Sequence, residues 1–92
     1  MKLIPKGTFR RDYRKINHKE LRFALAEKLL QIERAKDISQ ITGLKLLEGY
    51  THHYRIKIDT DIYSFRIGAI IRSETIWLIR FLPRKIAYRE FP

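Results

Sequence analysis

The spacing of apolar residues changes once along this chain. Up to Gly43 they recur every three or four residues, and beyond it they alternate with polar ones. Phe9, Tyr13 and Ile16 stand at i, i+4 and i+7 and predict a short first helix with one apolar stripe. Leu21, Leu25, Leu29 and Ile32, widened by Phe23, Ala26 and Leu30, predict a second helix from about His18 to about Lys36, where the run of good helix formers ends. Asn17 followed by Glu20 has the form of a capping box at its start. Asp37 and Gln40 repeat that spacing for one turn, which Gly43 stops.

The second half reads as strands. In the segment His52 to Asp59, Tyr54, Ile56 and Ile58 alternate with His53, Arg55 and Lys57, so one face is core and the other cationic. After the turn-forming Asp-Thr-Asp, Tyr63, Phe65, Ile67, Ala69 and Ile71 face one way, and Ser64, Arg66, Gly68, Ile70 and Arg72 face the other. Ser73 and Glu74 form a short loop before Thr75–Leu82, a nearly continuous apolar run that predicts a central strand covered on both faces. Beyond Pro83 there is room for a short helix or an extended tail, and Lys2–Pro5 fits a short edge strand. The predicted fold is α+β, a single domain over residues 1–92. A helical hairpin packs on one face of a twisted, mostly antiparallel sheet of about four strands.

Composition narrows the function. With 20 Lys and Arg against 10 Asp and Glu, the formal charge of +10 favours a polyanionic partner: nucleic acid, an anionic membrane or an acidic protein. No apolar run reaches the roughly 18 to 20 residues of a membrane span, and the first residues lack the apolar centre of a secretory signal, so a cytoplasmic protein is expected. The absence of cysteine removes disulfides, zinc ribbons and thiol catalysis. His18, His52 and His53 lack metal-ligand spacing, so neither a metal nor another cofactor is expected.

The cations are patterned. Residues 1–22 hold eight of them, including Arg10, Arg11, Arg14 and Lys15, against Asp12 and Glu20. If the helices cover one face of the sheet, the other carries Arg55, Lys57 and Arg66, with Arg84 arriving at the end of the last strand. Alternating Lys or Arg on a half-exposed strand also arises from ordinary solvation or from protection of a sheet edge. Charge alone therefore stops at a basic surface suited to nucleic acid.

Three segments in order, "KLLEGYTHHYRIKID", "SFRIGAII" and "IWLIRFLPRKIAYREFP", resemble the second half of RelE/ParE-superfamily toxins of bacterial toxin–antitoxin pairs. Phe9, Asp12, Lys15 and Ile16 extend the resemblance into the first helix. It implies a hairpin on a four-stranded sheet and two possible activities on one backbone, mRNA cleavage in the ribosomal A site or poisoning of DNA gyrase. The positions that match the ribonuclease branch are Arg55, Lys57, Arg66, Arg84 and Tyr88. Lys45 and Lys85, with Arg10, Arg11, Arg14 and Lys15, are expected to contact RNA or the ribosome. Two positions depart from the family's pattern: Pro83 stands where histidine is frequent, and Ile86-Ala87 where an acidic residue is common.

The resemblance thus implies a metal-independent endoribonuclease that cuts mRNA on the translating ribosome and is held by a small acidic antitoxin in a hetero-oligomer. Arg55 and Arg66 would hold the phosphate, Arg84 the leaving side, and Tyr88 a nucleotide. Lys57 is assigned a base or relay role because neighbouring cations favour the neutral amine. A gyrase inhibitor without nuclease chemistry, and a non-catalytic basic RNA- or ribosome-binding module, are the alternatives.

Overall fold

The computed structural model describes residues 1–92. Its elements follow the order β1 (Lys2–Pro5), α1 (Gly7–Arg14), α2 (Lys19–Arg34), a 3-10 turn (Ile38–Gln40), β2 (Leu44–Leu46), β3 (His53–Asp59), β4 (Ser64–Arg72), β5 (Thr75–Pro83) and α3 (Arg84–Glu90). The fold is α+β as predicted, but the sheet has five strands rather than about four, in the order β1-β5-β4-β3-β2. The strand beyond those expected is β2, at one edge; β1, the expected edge strand, pairs parallel to β5 with Lys2 opposite Thr75, while the other pairings are antiparallel. The middle strand is therefore β4. β5 is hydrogen-bonded on both sides, yet its Trp77 and Ile79 remain only half-buried, so its apolar run does not mark a strand sealed on both faces.

The core lies between the helical hairpin and one face of the sheet. Leu21, Leu25 and Ile32 of α2 meet Ile56, Ile67, Ala69 and Ile76 of the strands, all essentially without solvent contact. Phe23 and Leu30 do not widen this seam. Phe23 is 66% exposed and Leu30 45%. At about 100° per residue, Phe23 sits roughly 200° around the helix from Leu21 and faces away from the sheet.

The local capping differs from expectation at α2 and in its partners at the turn. α2 begins at Lys19 with His18 at its N-cap, whose side chain makes no capping hydrogen bond, so the Asn17–Glu20 box is not formed. The His18 imidazole instead stacks on Tyr63 at 4.4 Å between ring centroids, with Nδ1 2.8 Å from the tyrosine hydroxyl. At the 3-10 turn Asp37 is the N-cap, but its carboxylate accepts from the Ser39 N–H at 2.8 Å and the Gln40 side chain accepts from the Lys36 N–H at 2.8 Å, so the Asp37–Gln40 box is not closed either.

The sheet's second face is not left wholly open. α3 turns back onto it, burying Ala87, and Phe91 beyond the helix is only 5% exposed. A Cβ built on Gly68 would stand 2.5 Å from the Phe91 ring. The lack of a side chain at Gly68 is what lets the ring seat there. No helix is long and apolar enough to cross a membrane.

Candidate functional site

Strand register assembles the cations. Lys45 of β2 lies opposite Arg55 of β3, and Lys57 of β3 lies opposite Arg66 of β4. Residues directly opposite share a face of the sheet, so these four side chains rise together from three adjacent strands. With Gly43 and Tyr88 they line a cavity of about 130 Å³. That is well below the roughly 300–1,000 Å³ of pockets that enclose a small-molecule ligand. It suits one anionic group of a longer chain rather than a whole metabolite.

Each cation is held differently. The Arg55 guanidinium lies over the Tyr88 ring at 4.6 Å from its centroid, and its Nη2 donates to the Phe91 carbonyl at 3.0 Å. Its Nε is buried with no protein acceptor, a cost on the order of 1–3 kcal/mol that marks a side chain held by its surroundings rather than by its own pairing. Arg66 is almost wholly buried. Its Nη1 donates to Asp59 Oδ1 at 2.9 Å and to its neighbour's carbonyl at Phe65 at 2.8 Å. Lys57 remains exposed, with Nζ 3.5 Å from Asp59 Oδ2. The crowd of like charges on which its relay role was based therefore includes an acidic partner.

Gly43 shapes this corner. Its φ of +74° favours glycine, its carbonyl accepts from the Lys57 N–H at 2.9 Å, and any Cβ there would meet Lys57 Cβ at 3.0 Å. Burial works against the Asp59 carboxylate. Its hydrogen bonds from Ser64 and Arg66, with the charges of Arg66 and Lys57, outweigh that and hold its pKa below the ordinary aspartate value.

Arg84 and Tyr88 are one helical turn apart on α3, where i and i+4 side chains meet. Arg84 Nε donates to the Tyr88 hydroxyl at 3.1 Å, and the guanidinium sits 5.2 Å from the ring centroid. This hydrogen bond, followed by the arginine's charge, lowers the phenol's pKa from that of an ordinary tyrosine. Arg84 itself does not line the cavity. It stands at the rim, and Tyr88 connects it to the cleft. Pro83 ends β5 and serves as the N-cap of α3, with extended backbone geometry that turns the chain back across the sheet.

Of the wider set of basic positions, only Lys45 enters the cleft. Arg10, Arg11, Arg14 and Lys15 are exposed on and just after α1, in the helical layer, and Lys85 is exposed on α3. Three residues at the cleft were not anticipated: Asp59, Gly43 and Phe91. The first was legible, since Arg55, Lys57 and Asp59 occupy alternate positions of one strand and so share a face. His53 lies between Tyr50 and Phe91, at 4.7 and 5.9 Å between ring centroids, and His52 Nδ1 lies 3.1 Å from the Ile71 carbonyl oxygen.

A second, apolar cavity of about 290 Å³ opens on the helical side. Leu3, Phe9, Tyr13, Leu25 and Leu29 contribute to its lining, and Arg10 and Arg22 are its charged members. Arg22 is fixed there by an Nε hydrogen bond to the Ile16 carbonyl at 2.6 Å and by its position over the Tyr13 ring at 4.6 Å.

No protein-family model matches the chain, and no curated protein is similar to it in sequence. Among solved structures, it is similar to a chain in the crystal structure of the RelB-RelE antitoxin-toxin complex from Methanococcus jannaschii. The TM-score is 0.72 at 23% identity, over 97% of this chain and 99% of that one. This protein therefore has a RelE-like fold, with a cationic cleft on the sheet face opposite its helical hairpin.

Proposed function

We propose that this protein is the toxin of a toxin–antitoxin pair and that it acts in the cytoplasm as an endoribonuclease, cutting mRNA on the translating ribosome. The observation that carries this reading is the convergence of Lys45, Arg55, Lys57, Arg66 and Tyr88 on a cavity sized for one phosphate group. The RelE-like fold supports it.

In the proposed reaction the 2′-oxygen of a ribose attacks the adjacent phosphorus. A P–O2′ bond forms, the P–O5′ bond breaks, the 2′-hydroxyl proton leaves to a base, and the 5′-oxygen gains a proton. The products are a 2′,3′-cyclic phosphate and a 5′-hydroxyl. Fixed cations facing the phosphate stabilise the extra negative charge of the intermediate geometry. Arg55 and Lys45 supply donors there, Lys57 an exposed ammonium, and Arg66 a buried charge steadied by Asp59. Tyr88 is better placed than Lys57 to exchange protons, because Arg84 already favours its ionised form. Arg84 gives up its own proton too reluctantly to act as an acid, and is assigned an electrostatic role at the rim.

The proposed partner is a small acidic antitoxin that folds on binding. An amphipathic helix with apolar residues for Leu3, Phe9 and Leu29 and acidic flanks for Arg10 and Arg22 fits the cavity on the helical side. Primer extension on a translated mRNA is the decisive measurement. The reading expects codon-dependent cuts that vanish in Arg55→Ala and Tyr88→Phe. Uncut mRNA together with altered plasmid supercoiling in a gyrase assay would replace it with the gyrase alternative. Growth arrest on expression of this chain, relieved by the adjacent small open reading frame, tests the pairing.

A further inference from the structure

The residue with the most consequential unassigned contacts is Phe91. Three features meet on it. Its ring occupies the place of the missing Gly68 side chain, with three ring atoms within 2.5 to 2.7 Å of where a Cβ would stand. Its carbonyl accepts the Arg55 Nη2 hydrogen bond at 3.0 Å. Its own N–H donates to the Ala87 carbonyl at 3.0 Å, which ties it to the helix that carries Tyr88. Arg55 lies opposite Gly68 in the strand register, so notch and guanidinium are neighbours on one face.

We propose that Phe91 is a positioning residue for the cleft: its ring, seated in the Gly68 notch, brings its carbonyl onto Arg55 and holds α3 so that Tyr88 lies beneath the guanidinium. The physical reason is the absence of any other acceptor on the Arg55 side chain. Nη2 has the Phe91 carbonyl, Nε has no partner, and the remaining contact is the Tyr88 ring at 4.6 Å. An arginine side chain has many rotamers and does not stay in one place without such restraint. With the ring out of the notch, the carbonyl and the tyrosine leave together, and the cleft loses its order while the core on the other face is untouched. The seat thus offers a means of switching the site without unfolding the domain.

The catalytic arm of the test rests on the endoribonuclease reading, and a second arm does not. In the first, Phe91→Ala and Gly68→Ala are compared with Phe91→Leu on mRNA in programmed ribosomes, each variant being checked for a melting temperature above that of the assay. Phe91→Ala and Gly68→Ala are expected to lower kcat by about 10- to 100-fold, the scale of a displacement near 1 Å in a reacting site, with KM changed by no more than about threefold. Phe91→Leu, whose apolar side chain still fills the Gly68 notch and so keeps the backbone carbonyl in place, is expected to retain kcat within about threefold. Unchanged kcat in Phe91→Ala, or equal losses in all three variants, would overturn the proposal. In the second arm, proton exchange at the Arg55 guanidinium is followed by NMR in the free protein. Exchange is expected to be slow in the wild type and in Phe91→Leu and fast in Phe91→Ala; exchange equally slow in Phe91→Ala overturns the positioning role even where the wild type cuts no RNA.

Discussion

Arg80 Nε donates to Asp12 Oδ2 at 2.8 Å, and the same carboxylate oxygen accepts the Phe81 backbone N–H at 2.9 Å. Asp12 is 7% exposed, and Arg80 reaches on to Glu90 of α3 at 3.8 Å, so one buried aspartate joins α1 to β5 and, through Arg80, to α3. The hydrogen bond to Asp12 is also the first cause that raises the Arg80 pKa above an ordinary arginine's. Asp12→Ala is expected to destabilise the protein by about 2–4 kcal/mol, between the cost of one orphaned N–H and that of a broken buried ion pair. Asp12→Asn, which can still accept from Phe81, is expected to cost less. Denaturant melts of both variants check this, and equal stability of Asp12→Ala and wild type would contradict it.

Tyr88 gives a spectroscopic handle on the cleft. Because the Arg84 hydrogen bond favours the phenolate, Tyr88 ionises at lower pH than an ordinary tyrosine. Arg84→Gln is expected to move that ionisation upward. An absorbance titration, with Tyr88→Phe subtracted to isolate the one residue, reads the shift directly. Superimposable curves for wild type and Arg84→Gln would remove Arg84 as the cause.

Asp59 predicts acid sensitivity of the cleft. Its folded pKa is depressed, so its interactions contribute stability that is fully present above the unfolded value near 3.9 and lost as pH falls through the lower folded value. Below about pH 4 the stability of the wild type is therefore expected to fall more steeply than that of Asp59→Asn. Parallel stability curves for the two proteins over that range would count against the assignment.

Salt dependence separates the two basic surfaces. Each phosphate contact to a single strand contributes about 0.7 to the log–log slope, so replacing Lys45 and Lys57 with alanine is expected to reduce the slope on a free RNA strand by about 1.4. Replacing Arg10, Arg11 and Arg14 is expected to leave that slope alone and to flatten the one measured on ribosomes. All five are exposed, and each replacement is expected to change stability by no more than about ±0.5 kcal/mol. A changed free-RNA slope in the α1 variant would extend the strand's path onto the helical layer.

The strand carrying Arg55 and Lys57 was legible because side chains alternate in any extended chain, and the observed burial follows that alternation at Ile56 and Ile58. The position of α2 was legible for the same kind of reason, in a 3.6-residue period. The Asn17–Glu20 box was misleading, because capping depends on the backbone of one residue. Here His18 took that place while its ring went to Tyr63, 45 residues away. The parallel pairing of β1 with β5 left no local trace, since it joins segments more than 70 residues apart.

Asp12 shows where sequence reading stops. Among the basic residues of α1 it looks like a solvated charge, and only the approach of β5 makes it the buried acceptor of Arg80 and Phe81. By itself the sequence determined the periods, the cationic face of β3 and the net charge of +10, because these follow from covalent order and from the geometry of single elements. Tertiary structure alone decided which cations share a cavity, that Asp59 offsets two of them, and that Gly68 admits Phe91 beside Arg55. Those outcomes depend on strand register and on the return of α3, and a shift of register by one residue would turn every one of these side chains to the other face.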